Sequence, residues 1–397
     1  MPSQPAYPIP GYDSVPDRAS FSASPQRQSY YETHYPLYCA DWTAIEGKGF
    51  ESIALSSFRE DTSNKLQVVH GVKTDDDIEF FRVAEVSVNY PITKLQWDPS
   101  MAAAATPAPI DRLAAAAECL RIYEIDPLQN NALVERLTLT NAKHNNLNAL
   151  PPLTAFDWNK VDPGLIITSS IDTTCTVWDI RNGGVAKTQL IAHDSEVFDV
   201  QFTMDSTNVF ASVGNDGSVR VFDLRSLEHS TIIYEPVPGS EAAPLVRLAT
   251  SHANNYHMAT VVAESSAILV LDMRYPGVPV ATLEGHSAPV NDIKWHPTKN
   301  WLLSGGDDCQ ALVWDCTNID RDRAAYTQQG YYPSASPGVG TPGSPSGMPS
   351  APAIPGMVED TPILAYYEAM EVNNVCWDRD GSWFGAVSGK GFQAVKL

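Results

Sequence analysis

Apolar and polar residues alternate in short runs through DSEVFDVQFTMDSTNVFASVGNDGSVRVFDLR, residues 194–225, and the arrangement returns at 287–316 as SAPVNDIKWHPTKNWLLSGGDDCQALVWDC. A period of two marks strands with one buried face. In both copies a His precedes the first run, a small polar residue stands four positions ahead of an Asp, and an aromatic follows that Asp by six. A self-similar unit of this kind predicts small antiparallel sheets that bury their faces against one another.

The polar members of the unit have the chemistry of a hydrogen-bond relay. His286, Ser304, Asp308 and Trp314 can be joined in series: the turn Asp accepts from the imidazole, the Ser hydroxyl bridges, and the indole N–H donates. His193, Ser212 and Asp216 repeat the set with Phe222 in the Trp place, so the last donor is missing there. Thr168, Asp172 and Trp178 repeat it with no His at the expected position. Buried polar groups need partners, so these residues are expected to hold strands and turns together and not to catalyse.

This unit resembles the Trp-Asp repeat, and the resemblance implies an all-β, seven-bladed WD-repeat β-propeller. The count agrees. The last apolar residue of each innermost strand falls at Trp42, Trp97, Trp158, Phe202, Thr250, Trp295 and Trp377, in steps of 55, 61, 44, 48, 45 and 82 residues. Steps near the usual repeat length of about 40–45 residues are plain blades, and the longest hides an insertion. Residues 331–356, YYPSASPGVGTPGSPSGMPSAPAIPG, are Pro, Ser and Gly with little to bury, and predict a disordered loop between the third and fourth strands of blade six, within an insertion spanning 318–358. The first 29 residues have a similar composition and are expected to form a disordered tail.

Beyond Trp377 the sequence WFGAVSG and GFQAVKL supplies a second and a third strand and then ends, whereas QSYYETHY at 28–35 alternates like a strand that belongs to no complete unit. Pairing the two inside one blade closes the ring and removes the open sheet edges. Residues 30–397 are therefore expected to be a single propeller domain. The Ala run 114–117 favours helix locally, but the repeat register demands a hairpin ending at Tyr123, while 101–110 reads as loop. Gly389 and Gly391 read as a hairpin turn.

Composition narrows the function classes. With Asp and Glu at 47 against Lys and Arg at 26 the formal charge is −21, and no basic cluster offers a phosphate-backbone footprint. Direct nucleic-acid binding is not expected, and Asp75, Asp76 and Asp77 read as a solvated loop. Six cysteines at Cys39, Cys119, Cys175, Cys309, Cys316 and Cys376 have neither metal spacing nor the look of a disulfide framework. No window suits a membrane span or a signal peptide, so the expectation is a soluble, intracellular monomer without metal or cofactor. Searches for GxSxG, a phosphate loop and HExxH find nothing, and His252 and His257 in a predicted loop have the wrong spacing for a helical metal pair.

What remains is a rigid disc with exposed ends. The second residue of each innermost strand is expected at the mouth of the central channel: Tyr38, Thr93, Thr154, Phe198, Val246, Asn291 and Asn373. An exposed Tyr and Phe there suit a protein contact, and no member of the set titrates near neutrality, which argues against a propeller enzyme.

A closer resemblance rests on LTAFDWNKVDPGLIITSSIDTTCTVWDI, KTQLIAHDSEVFDV, FASVGNDGSVRVFDLRSLEHSTIIYE, DDCQALVWD and PILAYYEAMEVNNVCW. These segments are similar to a group of Trp-Asp repeat proteins that contains the plant transparent-testa-glabra type of anthocyanin regulator. Its animal counterpart is a cullin-4-associated scaffold of dual-specificity tyrosine-regulated kinases. The likeness covers most of 36–397 apart from the insertion, and departs in the head and in the Ala-rich start of blade two. It implies a non-enzymatic adaptor of nucleus and cytoplasm that holds kinases and transcription regulators, with a cullin-4 ligase substrate receptor as the alternative. WDIR at 178–181 and FDLR at 222–225 are similar to the WDxR box that engages the cullin-4 ligase adaptor, which assigns that contact to Arg181 and Arg225, and more weakly LDMR at 271–274 assigns it to Arg274. An Arg just past a strand end offers a planar fork to carboxylates and carbonyls. An ion pair between blades would use the same residues.

Overall fold

The computed structural model describes residues 28–44, 48–102, 111–140, 150–236, 242–319, 357–359 and 361–397. These residues form seven separate sheets, each built on an innermost strand that ends at or just beyond one of the anchor residues. Blade one, for example, runs Leu37–Ala44, Glu51–Ser57, Asn64–Lys73 and Ile78–Val88, every pair antiparallel.

The core is a ring. Seven buried apolar clusters lie between neighbouring blades, one at each junction: Trp295, Leu302 and Trp314 of blade six meet Ala249, Ala259 and Val270 of blade five, and Phe156, Trp158 and Ile166 of blade three meet Ala114, Ala116 and Ile122 of blade two. The alanines of the helix-prone run are thus small faces against which large neighbours pack, and burial of both sheet faces overrides their propensity. They form the strand Arg112–Ala116, whose partner Leu120–Asp126 runs three residues past the expected end at Tyr123. Of the expected loop 101–110, Met101 and Ala102 close a short 3-10 turn, Pro99–Ala102, and 103–110 lie outside the described residues.

The ring closes with the strand order Gln28–Glu32, Gly391–Lys396, Trp383–Ser388, Val372–Trp377. Register runs from Gln28 opposite Val395 to Glu32 opposite Gly391, so Gln28 and Ser29 belong to this sheet and not to a tail ending at 29. Tyr31 packs into the cluster between blades seven and one, and its hydroxyl donates to Gln67 of blade one at 2.8 Å. Buried Ser29 accepts from the Ile78 N–H at 2.5 Å and donates to Asp77. The acidic triplet is exposed, yet it is part of this closure: Asp76 lies 3.8 Å from Lys396 of the last strand.

The insertion leaves blade six after Gln310–Asp315 and returns as Leu364–Tyr367, the fourth strand of that blade. Its expected limits of 318 and 358 shift in the structure. Asn318 and Ile319 are described, and Ile319 is buried in the cluster between blades five and six. At the far end Met357–Glu359 pairs in parallel with Ala281–Glu284 and gives blade five a fifth strand. The tail to residue 27 and the stretch 331–356 lie outside the described residues. No described helix is long and apolar enough to cross a membrane.

Candidate partner-binding faces

The relay geometry is complete in blade six. The two Asp308 carboxylate oxygens lie 3.0 Å from His286 Nδ1, His286 Nε2 lies 2.7 Å from Ser304 Oγ, and Trp314 Nε1 donates to the same Oγ at 2.9 Å. In blade four Asp216 is 3.0 Å and Ser212 2.8 Å from the two nitrogens of His193. Phe222 fills the Trp place by stacking on Phe210, with centroids 5.1 Å apart. In blade three Trp178 Nε1 donates to Thr168 Oγ1 at 3.0 Å, and Asp172 accepts from Thr174 within its own turn. Burial alone would raise the Asp216 carboxyl, but hydrogen bonds from His193 and Ser218 hold it well below the usual range.

All seven mouth positions are partly exposed. Period-two alternation alone does not put them there. In six blades the pairing of the innermost strand skips the mouth residue, at Tyr38, Thr154, Phe198, Val246, Asn291 and Asn373. Each is the extra residue of a β-bulge, which turns its side chain outward at the strand start. Tyr38, Thr93, Thr154, Phe198 and Asn373 line one shallow cavity of about 50 Å³. That is far below the ~300–1,000 Å³ of a typical small-molecule site. Tyr38 packs on exposed Phe58 with centroids 5.0 Å apart, and Arg247 Nη2 reaches its hydroxyl at 3.4 Å. Val246 instead leans on the core between blades five and six, and Asn291 donates to Asp307 at 2.7 Å.

Beneath the mouth lies a belt that the repeat pattern did not single out. The Trp97, Phe202 and Trp158 N–H groups donate to Asp41 (2.7 Å), Asp157 (2.9 Å) and Gln96 (2.9 Å) of the preceding blade. Gln201, Asp199, Asp292 and Asn374 receive Thr250, Leu248, Val375 and Ala40 in the same way, at 2.7–3.2 Å. Each bond joins the inner strand of one blade to the next. A sequence signal existed: a polar residue stands directly before the anchor in Asp41-Trp42, Gln96-Trp97, Asp157-Trp158 and Gln201-Phe202. Burial pushes the Asp41 carboxyl up to about 6, against the lowering effect of the Trp97 N–H.

Arg181, Arg225 and Arg274 follow the third strands of blades three, four and five, on the face opposite the mouth. Arg225 pairs with Asp223 and its side chain is 70% exposed. Arg181 spans Asp179 and Asp162 at 3.0 and 3.1 Å, with Gly164 leaving the room its guanidinium occupies. Arg274 pairs with Asp272 and lies over the Tyr256 ring at 4.6 Å. Each of these contacts stays inside its own blade, the nearest carboxylate sitting two residues back on the same strand. His257 opens the strand His257–Val262 instead of lying in a loop, and its Nε2 is 3.6 Å from Asp272, while His252 contacts Lys160 at 3.1 Å. Burial raises the thiols of Cys39 and Cys119, to about 12 and about 11, and keeps them protonated. Among the described residues no group of three or more His, Cys, Asp or Glu could hold a metal ion.

The sequence profile of the WD domain, G-beta repeat, matches residues 184–223 and 277–315. WD repeat-containing protein YPL247C of Saccharomyces cerevisiae is 41% identical over 92% of this chain and 76% of its own length. The chain belongs to the WD-repeat family. Within it, an uncharacterized WD repeat-containing protein of Schizosaccharomyces pombe, C17D11.08, is 36% identical over 95% of this chain and 94% of its own. The DDB1- and CUL4-associated factor 7 homolog of Dictyostelium discoideum is 40% identical over 73% of this chain and 85% of its own length.

Proposed function

We propose that this WD-repeat protein is a non-enzymatic adaptor that uses the two faces of its propeller to hold different proteins at once. The observation that carries the reading is its 40% identity to a relative named for association with DDB1 and CUL4, over 85% of that relative. The shallow aromatic mouth around Tyr38 and Phe198 supports it, since such a surface suits a protein segment better than a substrate. Protein kinases of the dual-specificity tyrosine-regulated type and transcription regulators are the partners that the resemblance to the plant and animal scaffolds implies, in nucleus and cytoplasm. The mouth residues Tyr38, Thr93, Thr154, Phe198, Val246, Asn291 and Asn373 are their contact surface in this reading.

A second reading, substrate receptor of a cullin-4 ubiquitin ligase, is favoured by the same relative's name and by the exposed guanidinium groups of Arg181 and Arg225 on the opposite face. Replacing both with Glu separates the two readings in affinity capture. Loss of the ligase adaptor with kinase capture intact supports the receptor role alongside the scaffold. Capture of both unchanged removes these arginines as the adaptor contact, and a wild-type chain that captures no ligase adaptor removes the receptor reading.

A further inference from the structure

Two carboxylates, Asp199 and Asp292, face Arg247 at the channel mouth, and each is already taken by a lysine. Lys94 Nζ lies 2.9 Å from Asp199, and Lys294 Nζ lies 2.9 Å from Asp292. Asp199 also accepts the Val200 and Leu248 N–H groups, and Asp292 accepts Asn374 and the Val375 N–H. Asp41, the remaining carboxylate of the opening, interacts with Lys294 and Lys160. Arg247 itself comes no closer than 4.0 Å to a carboxylate among the described residues. It donates to the Val246 carbonyl at 2.9 Å and to the Tyr38 hydroxyl at 3.4 Å. A guanidinium carries five N–H donors, so most of this one is unspent. Its side chain is 31% exposed, in the opening lined by Tyr38, Phe198 and Asn373. The described residues that border 141–149 and 237–241 have other neighbours: Thr140 and Leu150 line a cavity beside Trp178, and Pro236 and Ala243 lie against Gly217.

We propose that Arg247 anchors an acidic side chain, Asp or Glu, that a partner protein inserts into the mouth beside Tyr38. The inference rests on the mouth being a partner surface and names the chemistry of the segment it takes. A carboxylate matches the planar fork with two parallel hydrogen bonds and supplies the counter-charge that Asp199 and Asp292 give to the lysines. The opening of about 50 Å³ suits a carboxylate on a short stem. Tyr38, Phe58 and Phe198 offer apolar contact around it, the arrangement in which a charged anchor is kept from water. A Lys or Arg in the same place would meet Arg247 as a like charge. The rim limits the segment further: exposed Asp307 and Glu371 stand where Asn291 donates to Asp307 and to the Val372 carbonyl. A run of acids is repelled there, so the segment carries one carboxylate flanked by apolar side chains.

The test selects phage-displayed random peptides on the full chain and keeps those whose binding is lost on the Tyr38→Ala, Phe198→Ala double variant. These mouth-dependent peptides are synthesised with capped ends, which removes the terminal carboxylate as a source of charge. They are expected to share an Asp or Glu. Arg247→Gln, or Asn or Gln in place of the peptide's acid, is expected to weaken binding about tenfold or more, and the two changes together no further than either alone. Arg247→Lys keeps the charge but not the fork and is expected to recover part of the loss. The peptide substitution leaves the chain untouched, so the test stays decisive if Arg247→Gln does not fold. Mouth-dependent peptides with no shared acid, or an acid whose removal adds to the loss from Arg247→Gln, overturn the proposal and leave the mouth a partner surface. Recovery of no mouth-dependent peptide overturns both.

Discussion

At the scale of single residues, the side chains that a search for chemistry would notice first turn out to be spent on one another. Ser304 Oγ sits within hydrogen-bonding distance of both His286 and Trp314 in a fully buried site. Removing it leaves an imidazole nitrogen and an indole N–H without their partner, so Ser304→Ala is expected to cost about 1–3 kcal/mol in chemical denaturation. Loss within a few tenths of a kcal/mol would mean that the relay does not hold the blade. Asp41 has the opposite character. Its carboxyl binds a proton near pH 6 in the folded protein, whereas an unfolded chain waits until about pH 4. The folded state therefore takes the proton first, and between those values stability rises as pH falls and is lost as pH rises. Asp41→Asn keeps an acceptor for the Trp97 N–H and is expected to reduce the stability change across this range by up to about 2 kcal/mol. Equal pH dependence of wild type and variant over pH 4–6 contradicts that assignment. Asp216 and Asp272 work the other way: burial would raise them, but His193 for one and His257 with Arg274 for the other hold both low. Their stabilisation is present above the ordinary carboxylate range and disappears in stronger acid.

At the scale of strands and blades, the closing strand carries the most weight for its length. Its five residues pair with the end of the chain, and Ser29 and Tyr31 reach across to blade one, so it belongs to two blades at once. A chain lacking residues 28–35 is expected to lose amide exchange protection in both blade seven and blade one. Protection lost from blade seven alone would show that the strand caps an edge and does not lock the ring. Seven inner strands were legible from the anchors because six of them end on a Trp or Phe that buries itself against the preceding blade, and spacing then counts the blades. The closing strand was legible as the one alternating run without a unit. What alternation could not give was the bulge at the second residue of the inner strands, since a bulge breaks the period that the reading relies on. Nor could it give the parallel strand Met357–Glu359, three residues that find a partner only because the insertion passes the edge of blade five. The interblade belt was hidden for another reason. The acceptor stands directly before the anchor in four blades and three positions before it at Asp199, Asp292 and Asn374, and only the neighbouring blade shows what it accepts.

At the scale of the whole molecule, seven apolar junctions, six of them also crossed by the belt's side chain to backbone bonds, make the propeller a stiff frame with two unlike ends. One end gathers Tyr38, Phe58 and Phe198 around a shallow opening; the other presents Arg181 and Arg225 beside their carboxylates. Two faces on one frame are what an adaptor needs. The most direct measurement is quantitative affinity capture with the intact chain and with a Tyr38→Ala, Phe198→Ala double variant. Both residues are only partly buried, so the fold should survive, which circular dichroism can verify. The account predicts that kinase capture falls at least about tenfold, as expected when aromatic hot spots are removed, while any ligase adaptor held by the opposite face is retained. Kinase capture at the wild-type level in a folded double variant would contradict it, and the mouth would then be no partner surface.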